Sequence, residues 1–356
     1  MKPTPRIRVL VIDDSAFSRR TIIRMLERSP LIEAADWAHD GQDALAKALS
    51  QPYDLITLDL EMPRMDGFTF LRILMARRPT PVIVVSGRAG DQDVFHALEL
   101  GAVDFIAKPT PRAAPELATI EQELIRKVHA VRELRLDRLR SRSAPSAAAS
   151  PGPHLRRHRV VAIGSSTGGP AALMQLFCAF RTAPACAFVV SQHMPVGFTR
   201  GFAERLASTT ALAAREAEPG DVPAPGTILI APGGAHLEFE TRGHDVVARV
   251  LEPRPSERYA PSVDRMFSSA AKHWGADLLA VVLTGMGDDG AAGALAVKQA
   301  GGNVIVESAE TAVIFGMPQQ AIRAGAVDAV LPLHEMAKCI ESSLDGEGPR
   351  RTRSAR

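Results

Sequence analysis

The chain has 356 residues, 46% of them hydrophobic and 23% charged, with a net charge of +2 and three cysteines. That length exceeds what one ordinary core needs, so two domains are expected, and the balanced charge argues against a polyanionic partner for the chain as a whole. Cys178, Cys186 and Cys339 share no C-x-x-C spacing, which suggests neither a disulfide framework nor a zinc site, and no apolar run has the length of a signal-peptide core or a membrane span, so a soluble, cytoplasmic protein without direct membrane insertion is expected.

Apolar runs at 9–12, 55–58, 81–85 and 103–106 alternate with helical patterns at 16–29, 67–77 and 91–100. That alternation predicts a doubly wound parallel sheet with crossover helices. Ligands gather at the carboxyl ends of such strands, where Asp13, Asp14, Asp59, Ser86 and Lys108 all fall. Two carboxylates after one strand and a third after another suit a magnesium-dependent phosphoacceptor, because a hard cation takes oxygen ligands. Lys108, followed by Pro109, points an ammonium toward that cluster, where it pairs with phosphate; the plainer alternatives are a surface lysine and, for Ser86, a turn serine.

From about 116 to 140 the chain is helical and becomes arginine-rich, and 141–153 runs through Ser, Ala, Pro and Gly without apolar periodicity. The second stretch reads as a linker. The basic run from Arg126 to Arg140 contains Glu133 and Asp137 and no aromatic residue, so a solvated helix face is favoured over a nucleic-acid contact. The tail 346–356, basic and glycine-bearing, is expected to be disordered. The expected division is therefore a first domain at 5–124, a basic and then Pro/Ala/Ser-rich linker at 125–158, a second domain at 159–345 and the tail.

In the second domain, apolar runs at 160–163, 188–191 and 278–283 read as buried parallel strands, and 237–240 with 246–251 around Arg242-Gly243 reads as a hairpin. The first run leads into Gly164-Ser165-Ser166-Thr167-Gly168-Gly169, a sharp strand-to-helix turn that suits an exposed nucleophile. His193 follows the second run and Asp289 the third, so a serine, a histidine and a carboxylate occupy strand ends close enough to bond. Ser166 then serves as nucleophile, His193 as its base and Asp289 as the group that fixes the imidazole, with Asp288 as a competitor that spacing alone does not eliminate. Backbone amides of Thr167 and Met286 are the candidates for an oxyanion hole. The plain readings are a helix cap for Ser166, a satisfied strand-end histidine for His193 and a cap before Gly290 for Asp289. Each wins singly, and their coincidence at three strand ends reverses that. His236, in a loop before a strand, reads as structural.

With these residues in view, the first part resembles a response-regulator receiver domain, through Asp13-Asp14, the stretch from Leu58 to Gly67, Ser86 and Asp104-Phe105-Ile106-Ala107-Lys108-Pro109. The second is similar to the catalytic domain of chemotaxis protein-glutamate methylesterases, the CheB family. The matching stretches are Ile163 to Pro170, Gln192-His193-Met194-Pro195, Ala231-Pro232-Gly233-Gly234, Pro261-Ser262-Val263-Asp264, Leu283 to Gly290 and Phe315-Gly316-Met317-Pro318.

The resemblance implies two α/β domains, a flavodoxin-like receiver and an α/β serine hydrolase. It implies that Asp59 accepts phosphate from a chemotaxis histidine kinase, that Asp13, Asp14 and Asp59 hold Mg2+, and that Ser86 and Lys108 sense the phosphoryl group. It further implies hydrolysis of glutamate methyl esters on methyl-accepting chemoreceptors, with release of methanol, deamidation of receptor glutamines by the same acyl chemistry, and no cofactor for the hydrolysis. Phosphorylation is then expected to relieve an inhibitory receiver, with Ser86 and Phe105 as relay. A noncatalytic, phosphorylation-gated adaptor is the competing reading, and it has no need to retain all three of Ser166, His193 and Asp289. The chain departs from the usual family pattern at Ser165, where alanine is common, at Glu307-Ser308, where Gln-Asp is common, and at Gly87-Arg88-Ala89.

Overall fold

Three short polar residues start helices in the first domain by side-chain capping: Ser15 accepts from the Ser18 amide, Asp40 from Asp43 and Asp66 from Thr69. Of the strands that run between them, the one at Leu55–Asp59 is buried throughout and the one at Ile32–Ala38 only at its two ends. The structure, a computed structural model, describes residues 6–87, 92–109, 114–130 and 159–344. It divides into two compact units, Met1–Arg140 and Ser141–Arg356.

The first unit contains β1 (Ile7–Ile12), α1 (Ala16–Glu27), β2 (Ile32–Ala38), α2 (Gly41–Ser50), β3 (Leu55–Asp59), α3 (Gly67–Arg77), β4 (Val82–Ser86), α4 (Gln92–Glu99), β5 (Asp104–Ala107) and α5 (Ala114–Ala130). The strands form one sheet in the order β2-β1-β3-β4-β5, and every pairing is parallel. The chain order reverses between β1 and β3, so a crevice opens at their carboxyl ends. One core cluster joins Val9, Val11, Leu55, Ile83, Val85 and Ile106 of the sheet to Ile22 and Leu26 of α1 and Leu124 and Val128 of α5. α5 continues past 124 to Ala130 because Leu124 and Val128 remain part of that core. The expected linker beyond it, most of the basic run, and the tail at 346–356 lie outside the described residues.

The second unit contains β6 (Val160–Ser165), α6 (Gly169–Cys178), β7 (Ala187–Gln192), α7 (Phe198–Thr209), β8 (Ala213–Glu216), β9 (Thr227–Ile230), β10 (His236–Arg242), β11 (Asp245–Leu251), α8 (Val263–Trp274), β12 (Leu278–Val282), α9 (Ala291–Gln299), β13 (Asn303–Glu307), α10 (Gly316–Arg323), β14 (Ala329–Leu331) and α11 (Leu333–Leu344). Seven strands form a parallel sheet in the order β14-β13-β12-β6-β7-β9-β8. β6, β7 and β12 are adjacent and buried along their whole length, which is why each reads as an unbroken apolar run. β10 and β11 pair antiparallel, Arg242 opposite Asp245, as the expected hairpin. Its inner face, Leu237, Phe239 and Ala248, packs on Met266, Phe267 and Ala270 of α8. All three cysteines are free thiols. Among the described residues no helix is long and apolar enough to cross a membrane.

Candidate functional site

In the first unit, β1 and β3 deliver Asp13, Asp14 and Asp59 to one point, where one ligand oxygen from each lies within 4.8 Å of the others. Lys108, just past β5, places Nζ 2.5 Å from Asp59 Oδ2 and 3.2 Å from Asp13 Oδ2. Asp13 Oδ2 is buried with the Lys108 ammonium beside it, while Oδ1 takes the Ser15 amide at 2.8 Å. Burial, with the Asp59 charge added, pushes the Asp13 carboxyl up to about 6, and burial likewise raises Asp59 despite the lysine. Burial disfavours the Lys108 ammonium, but the Asp59 and Asp13 charges hold it above its usual value. Three carboxylates, buried at Asp13 and Asp59 and exposed at Asp14, with one ammonium are short of positive charge, and all their donors are hard oxygens. The set therefore fits a hard divalent cation held by Asp13, Asp14 and Asp59.

Arg19 stiffens this loop, its Nη1 donating to the carbonyls of Asp13 at 2.6 Å and Asp14 at 3.0 Å while its guanidinium lies 4.9 Å from the Trp37 ring. Ser86 ends β4, buried, and its carbonyl accepts the Lys108 amide at 2.6 Å. Phe105 is buried edge-on to Phe95, and Lys127 Nζ, bonded to its carbonyl at 2.5 Å, lies 5.4 Å from its ring centre.

In the second unit, β6 ends at Ser165 and the chain turns through Ser166 and Thr167 into α6. The N-cap of α6 is Gly168, whose φ of 78° lies in the left-handed region that favours glycine, and no side chain caps it. Ser166 is therefore not the cap of this helix. It is only 2% exposed, and its amide donates to the Thr284 carbonyl at 3.1 Å, tying the Ser166 turn to the loop after β12. That loop comes close: a Cβ on Gly285 meets the Ser166 Cβ at 2.9 Å and Met317 Sδ at 2.2 Å, so only glycine fits. Among the described residues no backbone bond engages the amides of Thr167 or Met286.

His193 follows β7, its amide on the Ser165 carbonyl at 3.1 Å. Its Nε2 lies 2.8 Å from Asp289 Oδ2, and its Nδ1 is buried with no hydrogen-bond partner. The plain reading of a satisfied histidine fails at that nitrogen. The imidazole stacks on Tyr259, with centroids 4.7 Å apart and planes 10° from parallel. Asp289 is buried, whereas Asp288 is exposed beside Arg258 at 3.9 Å. Asp289 is thus the carboxylate on His193. Burial raises its carboxyl, but the His193 hydrogen bond and charge, with the amides of Asp264 and Val263, hold it below the usual carboxylate range. It does cap a helix, though not its own: it accepts from the first amides of α8.

Several participants escaped the sequence reading. Gln192, at the buried end of β7, donates Nε2 to the carbonyls of both Ser166 and His193 at 2.9 and 3.0 Å, and accepts Ser165 Oγ at 2.6 Å. The hydroxyl that distinguishes Ser165 from alanine is thus used. Glu307 is likewise engaged, its carboxylate accepting the Thr284 amide at 2.8 Å and Thr311 Oγ1 at 2.9 Å. A polar residue inside an otherwise apolar strand is the signal for both Gln192 and Glu307. His236 is structural as expected: fully buried, with Nε2 3.1 Å from Glu257 and Nδ1 accepting the Ser262 amide at 3.2 Å.

A receiver-type sheet with an acid cluster, followed by a parallel-sheet domain with serine, histidine and aspartate at adjacent strand ends, defines a response-regulator hydrolase. The family model described as CheB methylesterase matches residues 161–340, and that of the response regulator receiver domain, the kind that binds Mg2+ for phosphorylation, matches residues 9–118. A protein-glutamate methylesterase/protein-glutamine glutaminase of Geobacter sulfurreducens is 49% identical over 94% of this chain and 96% of its own. Its counterpart in Pseudomonas aeruginosa is 41% identical over 97% of this chain and 99% of its own. The crystal structure of the Thermotoga maritima CheB methylesterase catalytic domain is 41% identical and superposes with a TM-score of 0.50, covering 52% of this chain and 98% of that one. The chain belongs to the CheB methylesterase family.

Proposed function

We propose that this chain is a phosphorylation-controlled protein-glutamate methylesterase of chemoreceptors, acting through Ser166, His193 and Asp289. The observation that carries the reading is the imidazole of His193, bound by Asp289 at one nitrogen and left open at the other, beside the Ser166 turn. Asp289 holds the proton on Nε2, so Nδ1 is the basic nitrogen. Ser166 Oγ gives its proton to Nδ1 as it attacks the ester carbonyl, and Asp289 stabilises the imidazolium. The amides of Thr167 and Met286 receive the developing oxyanion. Collapse breaks the acyl–oxygen bond, and methanol leaves with the proton from Nδ1. Water then adds to the acyl-serine by the reverse proton path, releasing the glutamate side chain and restoring Ser166. A glutamine side chain passes through the same acyl-enzyme and releases ammonia. These steps use only side chains and amides of the chain, and no cofactor enters them.

The receiver controls this reaction through Asp59, phosphorylated by a chemotaxis histidine kinase with Mg2+ held by Asp13, Asp14 and Asp59. Lys108 and Ser86 respond to the phosphoryl group and Phe105 relays the change. A cytoplasmic location follows from this phosphodonor, and the division at 5–124, 125–158, 159–345 and 346–356 is retained, with α5 reaching into the second segment. The test is methanol release from methylated receptor membranes by the full chain, with and without phosphodonor, and by a chain beginning at His154. The truncated chain is expected to run about ten-fold faster than the unphosphorylated full chain, the change that an inhibitory preference of ~1.4 kcal/mol produces. A truncated chain no faster than the full one assigns the receiver a recruiting or activating role instead.

A further inference from the structure

The stretch Pro261-Ser262-Val263-Asp264 supplies no atom to the reaction just described, yet its polar groups converge on Asp289. Asp289 Oδ1 accepts Ser262 Oγ at 3.0 Å and the Asp264 amide at 2.8 Å. Its Oδ2 accepts the Val263 amide at 2.8 Å beside His193 Nε2. All four acceptor sites of the carboxylate are thus filled, three of them from the start of α8. The Asp264 carboxylate reaches the other way, its Oδ1 accepting the amides of Gly290 at 2.9 Å and Gly293 at 2.6 Å. α9 has no side-chain cap of its own, because its N-cap is Gly290. Each helix start is therefore capped by the acid belonging to the other, and Asp289 lies inside the exchange.

The segment that carries Asp289 needs such fixing. Gly287 and Gly290 flank it with φ of 96° and 101°, positions where glycine adds conformational freedom. Pinning the Gly290 amide holds the residue next to Asp289. Ser262 is itself anchored, since its amide donates to His236, and His236 and Arg265 share Glu257.

We propose that Asp264 and Ser262 are positioning residues of the esterase, fixing the Asp289 carboxylate on His193 Nε2 without touching the reacting atoms. This rests on the reading of Ser166, His193 and Asp289 as the reacting set. Burial raises the Asp264 carboxyl, the charges of Asp289 and Asp288 add to that, and the two glycine amides oppose it. That balance marks a carboxylate kept in a costly place for its acceptor oxygen.

The test uses the phosphorylated full chain and methylated receptor membranes. Asp264→Ala is expected to lower kcat about 100-fold with KM within about two-fold, the cost of misplacing a catalytic group by roughly an ångström. Asp264→Asn keeps an oxygen for both amides and is expected to recover about ten-fold or more of that loss. In proton NMR, the resonance of the His193 Nε2 proton on Asp289 is expected to broaden or vanish in the alanine variant and return in the asparagine variant. Asp289→Ala separates the two readings: if it retains activity, the reacting set is wrong whatever Asp264 does. If Asp289→Ala is inactive while Asp264→Ala keeps wild-type kcat and the His193 signal, the positioning role is overturned. Equal losses in the alanine and asparagine variants with the signal intact also overturn it, leaving helix stability alone. Should Asp264→Ala fail to fold, Ser262→Ala removes one donor to Asp289, and an about five-fold fall in kcat at unchanged KM is expected; wild-type kcat overturns the proposal.

Discussion

Ser166→Ala is expected to abolish methanol release while the protein unfolds at close to the wild-type temperature. The substitution keeps the Ser166 amide on the Thr284 carbonyl, and that amide is what ties the turn to its neighbour. His193→Ala should match the loss. Asp289→Asn should cost about 10⁴ in kcat, because an amide cannot both accept the Nε2 proton and stabilise an imidazolium. Asp288→Asn is the internal comparison: its carboxylate is exposed beside Arg258, and wild-type turnover is expected. Steady-state methanol assays on the four variants check this. The reverse result, with Asp289→Asn active and Asp288→Asn dead, transfers the orienting role to the neighbour.

The second large effect belongs to the receiver. Incubation with a small-molecule phosphodonor and Mg2+ should label the wild-type chain, and Asp59→Asn should stay unlabelled. Asp59 ends β3 with Oδ2 on the Lys108 ammonium, so a phosphoryl group accepted there is expected to form beside a positive charge that can hold it. Chelation of the metal should abolish labelling too, because the buried acids of Asp13 and Asp59 repel an incoming phosphate unless a hard cation lies between them. Radiolabel incorporation or a mass shift on Asp59 reads the outcome. Equal labelling of Asp59→Asn and wild type means the acceptor lies elsewhere.

Strands buried on both faces announce themselves, which is why β1, β3, β4, β6, β7 and β12 were all legible as apolar runs. The edge strands β2 and β8 were not, although the edge strand β5 was. β2 alternates Glu33 and Asp36 with small residues and leaves Trp37 half exposed, and β8 is Ala-Ala-Arg-Glu, so neither carries a run to read. That the receiver acids and Ser166, His193 and Asp289 lie at strand ends was legible for the same reason: a polar residue at the end of an apolar run is carried to the crevice. What spacing left open was the choice between Asp288 and Asp289, because adjacent residues differ only in direction, and direction is set here by the α8 amides that Asp289 meets. The same applies to Asp264, whose partners Gly290 and Gly293 lie 26 and 29 residues on, beyond any local pattern. Which imidazole nitrogen faces Asp289 is a matter of ring rotation, which no sequence encodes locally.

The exchanged caps of α8 and α9 also bear on how this half of the protein opens. Helix ends usually fray one by one, each amide meeting solvent with its own small free energy. Here the amides of Val263 and Asp264 lie on Asp289, and those of Gly290 and Gly293 lie on Asp264, so neither helix start can loosen without stripping the other. In native-state hydrogen–deuterium exchange these four amides are expected to share one protection factor, well above that of the uncoupled start of α7, where Gly197 has no side-chain cap. Two helix ends distant in sequence thus form a single cooperative unit, and the carboxylate that meets the histidine moves only when that unit unfolds.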